Sequence, residues 1–127
     1  MSNFQTVLQE TLKGINKAFQ VADADLHEEV AVASKAVANV TDGKGALELV
    51  VIGEDESGLS YNLMLTTEEK KLQLGSFHVP RKGYPIITSH GAIPARQELA
   101  GLFANMATNP DSPLVTKLAF LLRQHGG

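Results

Sequence analysis

Apolar residues recur every three or four positions over the first forty residues of the chain, which is the spacing of a helix face. The two series are Phe4, Leu8, Leu12, Ile15 and Phe19, then Leu26, Val30, Ala33 and Val37. Ser2 with Gln5, and Asp25 with Glu28, have the spacing of the capping box that begins many helices. The sequence therefore predicts two N-terminal helices, the second of which starts at Asp25 and runs to about Ala38.

The segment 28–40 also fits a strand. Val30, Val32 and Val40 fall on alternate positions, and valine favours strands over helices. The three-and-four spacing, the alanines and the acidic residues at the start of the segment favour a helix. This choice decides whether the sheet is expected to have three strands or four.

Between residues 45 and 80 the apolar residues change to a period of two, which is typical of strands. The three apolar series are Leu47, Leu49 and Val51, then Leu59, Tyr61, Leu63 and Leu65, then Leu72, Leu74, Phe77 and Val79. In the third series the alternation slips near Gly75, so we expect a β-bulge there. Because the connections at 54–58 and 66–69 are short, the three strands should form an antiparallel meander.

Two further helices are expected after residue 93. Ala95, Leu99, Leu102, Phe103 and Met106 make one apolar face, with Pro94 in the first turn. Ser112 is a suitable N-cap for the last helix, with Pro113 at its first position. The predicted fold is a single α+β domain over residues 1–127, in which two N-terminal and two C-terminal helices pack on a three-stranded or four-stranded antiparallel sheet.

Composition narrows the functional classes. The chain of 127 residues has no cysteine, which excludes disulfides, thiolate metal sites and thiol nucleophiles. Its formal net charge of −3 is unfavourable for general nucleic-acid binding. No stretch has the length and apolarity of a membrane span, and the first residues lack the pattern of a secretory signal, so we expect a cytoplasmic protein. Four amphipathic helices offer more apolar surface than one small sheet can cover, which leads us to expect a homo-oligomer, most simply a homodimer.

The most unusual segment is Pro80–Ile93, which holds three of the five prolines when Pro94 is included. Long irregular segments inside a domain are often functional. As a recognition surface for a protein partner or a ligand it would use Arg81, Lys82, Gly83, Tyr84 and His90. The alternative is a stiff connection between strand and helix, in which the tyrosine packs on the core and the Tyr84-Pro85 bond can be cis.

Residues that could carry catalysis are few. A hydrolase or isomerase site would have to gather His78, Arg81, Tyr84 and His90 into one pocket. A weak single-stranded nucleic-acid surface would need Arg81, Lys82 and Tyr84 to lie beside Lys70 and Lys71.

Metal and cofactor sites lack their sequence patterns. Asp23, Asp25 and His27 alternate like the start of a calcium loop, but Glu28 and Ser34 occupy positions that need a glycine and a bidentate carboxylate. We therefore expect no catalytic residue, metal or cofactor. The leading hypothesis is a non-enzymatic cytoplasmic binding or adaptor protein that recognises a protein partner through Pro80–Ile93.

Overall fold

One helix of 39 residues, α1 (Ser2–Val40), makes up the N-terminal third of the protein in this computed structural model, which describes residues 2–124. The prediction of a second helix starting at Asp25 is wrong, whereas the prediction that residues 28–40 are helical is confirmed. Ala22 supplies the apolar position between Phe19 and Leu26, so the helical spacing is continuous. Asp25 does not cap a helix because its carboxylate instead binds side chains from other elements.

The remaining elements form five strands followed by two helices. They are β1 (Gly45–Asp55), β2 (Gly58–Thr67), β3 (Lys71–Pro80), β4 (Ile86–Thr88), β5 (Gly91–Ile93), α2 (Arg96–Thr108) and α3 (Pro113–Gln124). The strands make one antiparallel sheet in chain order. The α+β class and the meander are as expected, but the sheet has five strands because β4 and β5 form within the segment predicted to be irregular.

The two additional strands make a short hairpin at the edge of the sheet. Ile86 pairs with Ile93, and His78 of β3 pairs with Ile87 of β4. Each strand has three residues, which is too short for a period of two to be read from the sequence.

The bulge expected in β3 is present. Leu63 of β2 pairs with Gly75, and the next residue, Met64, pairs with Gln73, so Leu74 is left over between them. The extra residue returns Phe77 to the buried face of the sheet, which explains the slip in the sequence pattern.

All three helices contribute apolar residues to one core on one face of the sheet. Its most enclosed side chains include Leu26 of α1, Leu63 and Leu65 of β2, and Leu99 of α2, each at most 1% exposed. The stacked rings of Phe77 and Phe103, 6.0 Å apart between centroids, join the sheet to α2. The helical stripe of α2 is therefore part of the core.

The start of α3 agrees closely with the sequence prediction, and the start of α2 agrees less closely. Ser112 accepts a hydrogen bond from the Val115 N–H at 3.2 Å, which confirms it as the N-cap of α3. The α2 helix begins at Arg96, two residues after Pro94, and its N-cap Ala95 makes no side-chain capping bond. Across residues 2–124 the structure contains no helix that combines the length and apolarity needed to span a membrane.

Candidate functional site

The segment Pro80–Ile93 leaves the end of β3, passes a cis Tyr84-Pro85 bond and forms the β4–β5 hairpin before α2. Its five predicted binding residues separate into two groups. Arg81, Gly83 and Tyr84 are buried or half-buried against the rest of the protein, whereas Lys82 and His90 are exposed. The segment is thus neither a free loop nor a purely internal connection.

Gly83 is held directly against the backbone of α1. It is buried and has a φ of +90°, and a Cβ at this position would lie 2.6 Å from the carbonyl oxygen of Ala18. Both the left-handed conformation and the close approach therefore require glycine. The function of Gly83 is to bring the segment onto α1.

Tyr84 makes the second contact with α1. Its hydroxyl donates a hydrogen bond of 2.7 Å to Oδ2 of Asp25. Burial of the phenol, followed by this hydrogen bond, raises the pKa of Tyr84 above its ordinary value. The hydroxyl is already bonded within the chain, so it is not a free donor for a ligand.

Arg96 completes a polar cluster that the sequence did not reveal. Its guanidinium lies 2.7 Å from Asp25, 3.0 Å from Glu28 and 3.2 Å from Glu29, and these bonds, that to Glu28 foremost, raise the pKa of Arg96. Because Asp25 bonds both Tyr84 and Arg96, the chain before β4 and the chain after β5 are fixed to the same turn of α1. We call Asp25, Glu28, Glu29, Tyr84 and Arg96 the α1 anchor.

Arg81 fixes the beginning of the segment to the turn between β1 and β2. Its guanidinium donates to the backbone carbonyl of Asp55 and lies 3.8 Å from Glu54. It also lies 5.6 Å from the ring centroid of Phe19, within the range of a cation–π contact. Arg81, predicted to be a binding residue, is thus bonded to other groups of the same chain.

The outer side of the segment faces solvent. It consists of Lys82, Pro85, Ile87, Ser89, His90 and Ala92. Ile87 is 40% exposed, and the backbone N–H of His90 is bonded to Oγ1 of Thr88 at 3.0 Å, which shapes the tip of the hairpin. We call these six residues the hairpin rim.

The structure does not bring together the four residues of the hydrolase or isomerase hypothesis. Nδ1 of His78 lies 2.8 Å from Oγ of Ser60, on the face of the sheet opposite the helices. Tyr84 and Arg81 are bonded to α1 and to the β1–β2 turn, and His90 is at the hairpin tip. A groove of about 300 Å³ lies at the other end of β3 and is lined partly by α3, so none of the four contributes to it.

The nucleic-acid surface is not assembled either. Lys70 and Lys71 lie at the start of β3 and Arg81 and Lys82 just after its end, about 30 Å apart for a strand of this length. Lys71 also lies 3.3 Å from Glu48. The basic residues therefore lie at opposite ends of β3, and two of them, Lys71 and Arg81, are paired with acidic residues.

The residues that resemble a calcium loop separate into two groups, because Asp25 belongs to the α1 anchor whereas Asp23 and His27 contact Tyr61. Tyr61 donates a bond of 2.5 Å to Asp23, and its hydroxyl lies 3.0 Å from Nε2 of His27. Burial and the bond to Asp23 raise the pKa of Tyr61. Over residues 2–124, no group of three or more histidine or acidic side chains is arranged to hold a metal ion.

Comparison with known proteins gave no relative on which to base an assignment. The chain matches no protein-family model, no curated protein and no solved structure. The candidate site consequently stands on its own geometry, as an anchored hairpin with an exposed rim.

Proposed function

We propose that this is a non-enzymatic, cytoplasmic binding or adaptor protein that recognises a protein partner through Pro80–Ile93, with the hairpin rim as the contacting surface. The observation that carries the proposal is the combination of an exposed rim with a base fixed at three separate places. Those places are Gly83 on Ala18, Tyr84 on Asp25, and Arg81 on the β1–β2 turn.

A fixed base supports recognition because ordering a flexible loop opposes binding. Each side chain or backbone segment that is already immobile removes part of that entropic cost. The α1 anchor and Gly83 hold the backbone on both sides of the hairpin before any partner arrives. Residues of the hairpin rim that are held on a rigid element also keep constant positions relative to one another, as a binding surface requires.

The chemistry of the rim suits a protein surface. Ile87, Pro85 and Ala92 offer apolar contact, and His90 and Ser89 offer hydrogen-bonding groups. Lys82 offers a charge that forms no ion pair with any other residue in 2–124. A partner segment with apolar residues and an acidic residue opposite Lys82 would match this surface.

The test is a comparative affinity capture from native extract, analysed by mass spectrometry. The bait variants are the wild-type chain, a rim variant carrying Lys82→Ala, Ile87→Ser and His90→Ala, and a control carrying Lys35→Ala, Glu98→Ala and Asn105→Ala at exposed helical positions. All three should unfold at similar temperatures, because none of the changed side chains is buried. We expect proteins that bind the wild type and the control but not the rim variant. Identical protein sets on all three baits would refute recognition through the rim.

A further inference from the structure

The N-terminal part of α1 extends past the sheet with its apolar stripe uncovered. Every residue in 3–14 is exposed, and burial begins only at Ile15 and Phe19. We call residues 3–17 the overhang. Its exposed apolar side chains are Phe4 (75%), Val7 (59%), Leu8 (46%) and Leu12 (51%).

The exposed residues continue the face that packs on the sheet. Phe4, Leu8, Leu12 and Ile15 lead at spacings of three and four into Phe19, Ala22 and Leu26, which belong to the core. The stripe is uncovered because α1 extends beyond the end of the sheet, while the apolar spacing continues along the helix to Phe4. Intrinsic propensity does little to hold the overhang as a helix, since it contains Gly14 and several β-branched residues.

We propose that the overhang is an interface for a second copy of this chain, and that the two overhangs pack antiparallel across a twofold axis near residue 10. The spacing is self-complementary in this orientation. Leu8 of one chain faces Leu12 of the other, and Phe4 faces Ile15. Each contact then occurs twice, as a closed twofold interface requires.

The position of the sheet selects the antiparallel orientation. From Phe19 onwards the sheet occupies the stripe side of α1. Two chains aligned in parallel with their stripes facing would place both sheets in the same space. In the antiparallel arrangement each sheet lies beyond the N-terminus of the other helix, and the overhangs, about 22 Å long, are free to meet.

The charge distribution permits two identical surfaces to approach. The charged residues of the overhang are Glu10, Lys13 and Lys17, and at about 100° per residue all three fall on the side opposite the stripe. The stripe is bordered by uncharged residues such as Gln5, Thr11 and Asn16. No like charges would therefore be pressed together in the contact.

The area is appropriate for a reversible dimer. The exposed parts of the apolar side chains amount to roughly 400 Å² per chain, within the range of the largest, often functional, patches on monomers. Two such patches with their polar borders approach the roughly 1,200 Å² at which specific interfaces begin. This interface is separate from the hairpin rim, so the two proposals can fail independently.

The first experiment measures molecular mass by analytical ultracentrifugation over a range of concentrations. The wild-type chain has a mass of 13.6 kDa and should approach twice that value at high concentration. Leu8→Ser with Leu12→Ser should raise the dimer dissociation constant by roughly a hundredfold or more, since four buried leucines are lost per dimer. Glu10→Ser with Lys17→Ser, on the opposite side, is the matched control and should leave the constant unchanged. A wild type that stays monomeric throughout, or a leucine variant that dimerises like the wild type, would overturn the proposal.

The second experiment tests the orientation and uses the absence of native cysteine. Chains with Leu8→Cys and chains with Leu12→Cys, mixed and mildly oxidised, should form the mixed disulfide. Chains with Phe4→Cys alone should form little, because the two Phe4 positions are about 18 Å apart along the axis in the antiparallel pair. Efficient Phe4→Cys cross-linking would show a parallel pair and refute the arrangement.

Discussion

Replacing Tyr84 by phenylalanine should loosen the hairpin selectively. The change removes the hydroxyl that bonds Asp25 at 2.7 Å and keeps the ring, so no cavity is created. Hydrogen bonds to a charged group contribute about 1.5–3 kcal/mol, but Asp25 keeps its bond to Arg96 and Tyr84 is only half-buried. We therefore expect the variant to lose about 1–2 kcal/mol of stability in this segment, at or just below the lower end of that range.

The informative measurement is amide hydrogen exchange in the native state. If the Tyr84 hydroxyl holds the segment, amides in 86–93 should exchange roughly tenfold faster in the variant, because 1.4 kcal/mol corresponds to a factor of ten. The exchange of amides in the centre of β2 should change only as much as the change in global stability requires. A denaturant titration measures that global change separately.

Tyr61→Phe is the matched control for this experiment. It also removes a phenol bonded to a carboxylate of α1, here Asp23, but Tyr61 lies in β2, which pairs with β1 and β3 and not with the hairpin. It should lower global stability without a selective effect on residues 86–93. Unchanged hairpin exchange in Tyr84→Phe, or equal acceleration in both variants, would refute the role assigned to the α1 anchor.

Two further substitutions and one pH titration test the fold and its charges. Leu63→Ala should lower the free energy of unfolding by about 2–5 kcal/mol, because the side chain is fully enclosed in the central strands; a loss below about 1 kcal/mol in denaturant titration would contradict this. Ser112→Ala should cost about 1 kcal/mol through the lost cap on the Val115 N–H, and an unchanged melting temperature would contradict it. The pKa values of Tyr61 and Tyr84 are raised above the ordinary 10.0, so the native state keeps these protons where the unfolded state releases them. The stability they provide is complete below pH 10 and is lost as the pH rises further. The tyrosinate absorbance of the native chain should therefore appear at higher pH than that of the denatured chain. Coincident titration curves would refute the raised pKa values.

The parts of the fold that could be predicted from the sequence are those governed by local periodicity. The strands around Leu63, the bulge beside Gly75 and the cap at Ser112 each leave a signal within a few residues. The prediction of two helices in place of α1 is wrong because Asp25 and Glu28 have the spacing of a cap within one continuous helix. Only the tertiary structure shows that these carboxylates bind Arg96, nearly seventy residues away.

The candidate site remains a prediction, and the structure adds which of its residues are exposed. The sequence predicts a recognition surface in Pro80–Ile93, and Lys82 and His90 of that segment are exposed. Gly83 and Tyr84, which the sequence also predicts as binding residues, contact α1, and no local pattern indicates these contacts. The acidic positions 25, 28 and 29 share one side of the helix, and this was the available sign that a basic residue from elsewhere binds there.

The length of α1 connects the two proposed surfaces. The anchor lies at residues 25–29 and the proposed twofold axis near residue 10, so in an antiparallel dimer the two hairpins would stand roughly 50 Å apart, at 1.5 Å per helical residue. Both hairpins are fixed to α1 through Asp25, and the helix is continuous between anchor and axis, so their separation would be set by one rigid element. A dimer with two identical, rigidly spaced rims binds a partner array more tightly than a single rim does, through the raised effective concentration of the second contact. The Leu8→Ser, Leu12→Ser variant should then capture a multivalent partner more weakly than the wild type, while the affinity of a single rim stays unchanged. Equal capture of that partner by the monomeric variant and the wild type would show that the two surfaces act independently.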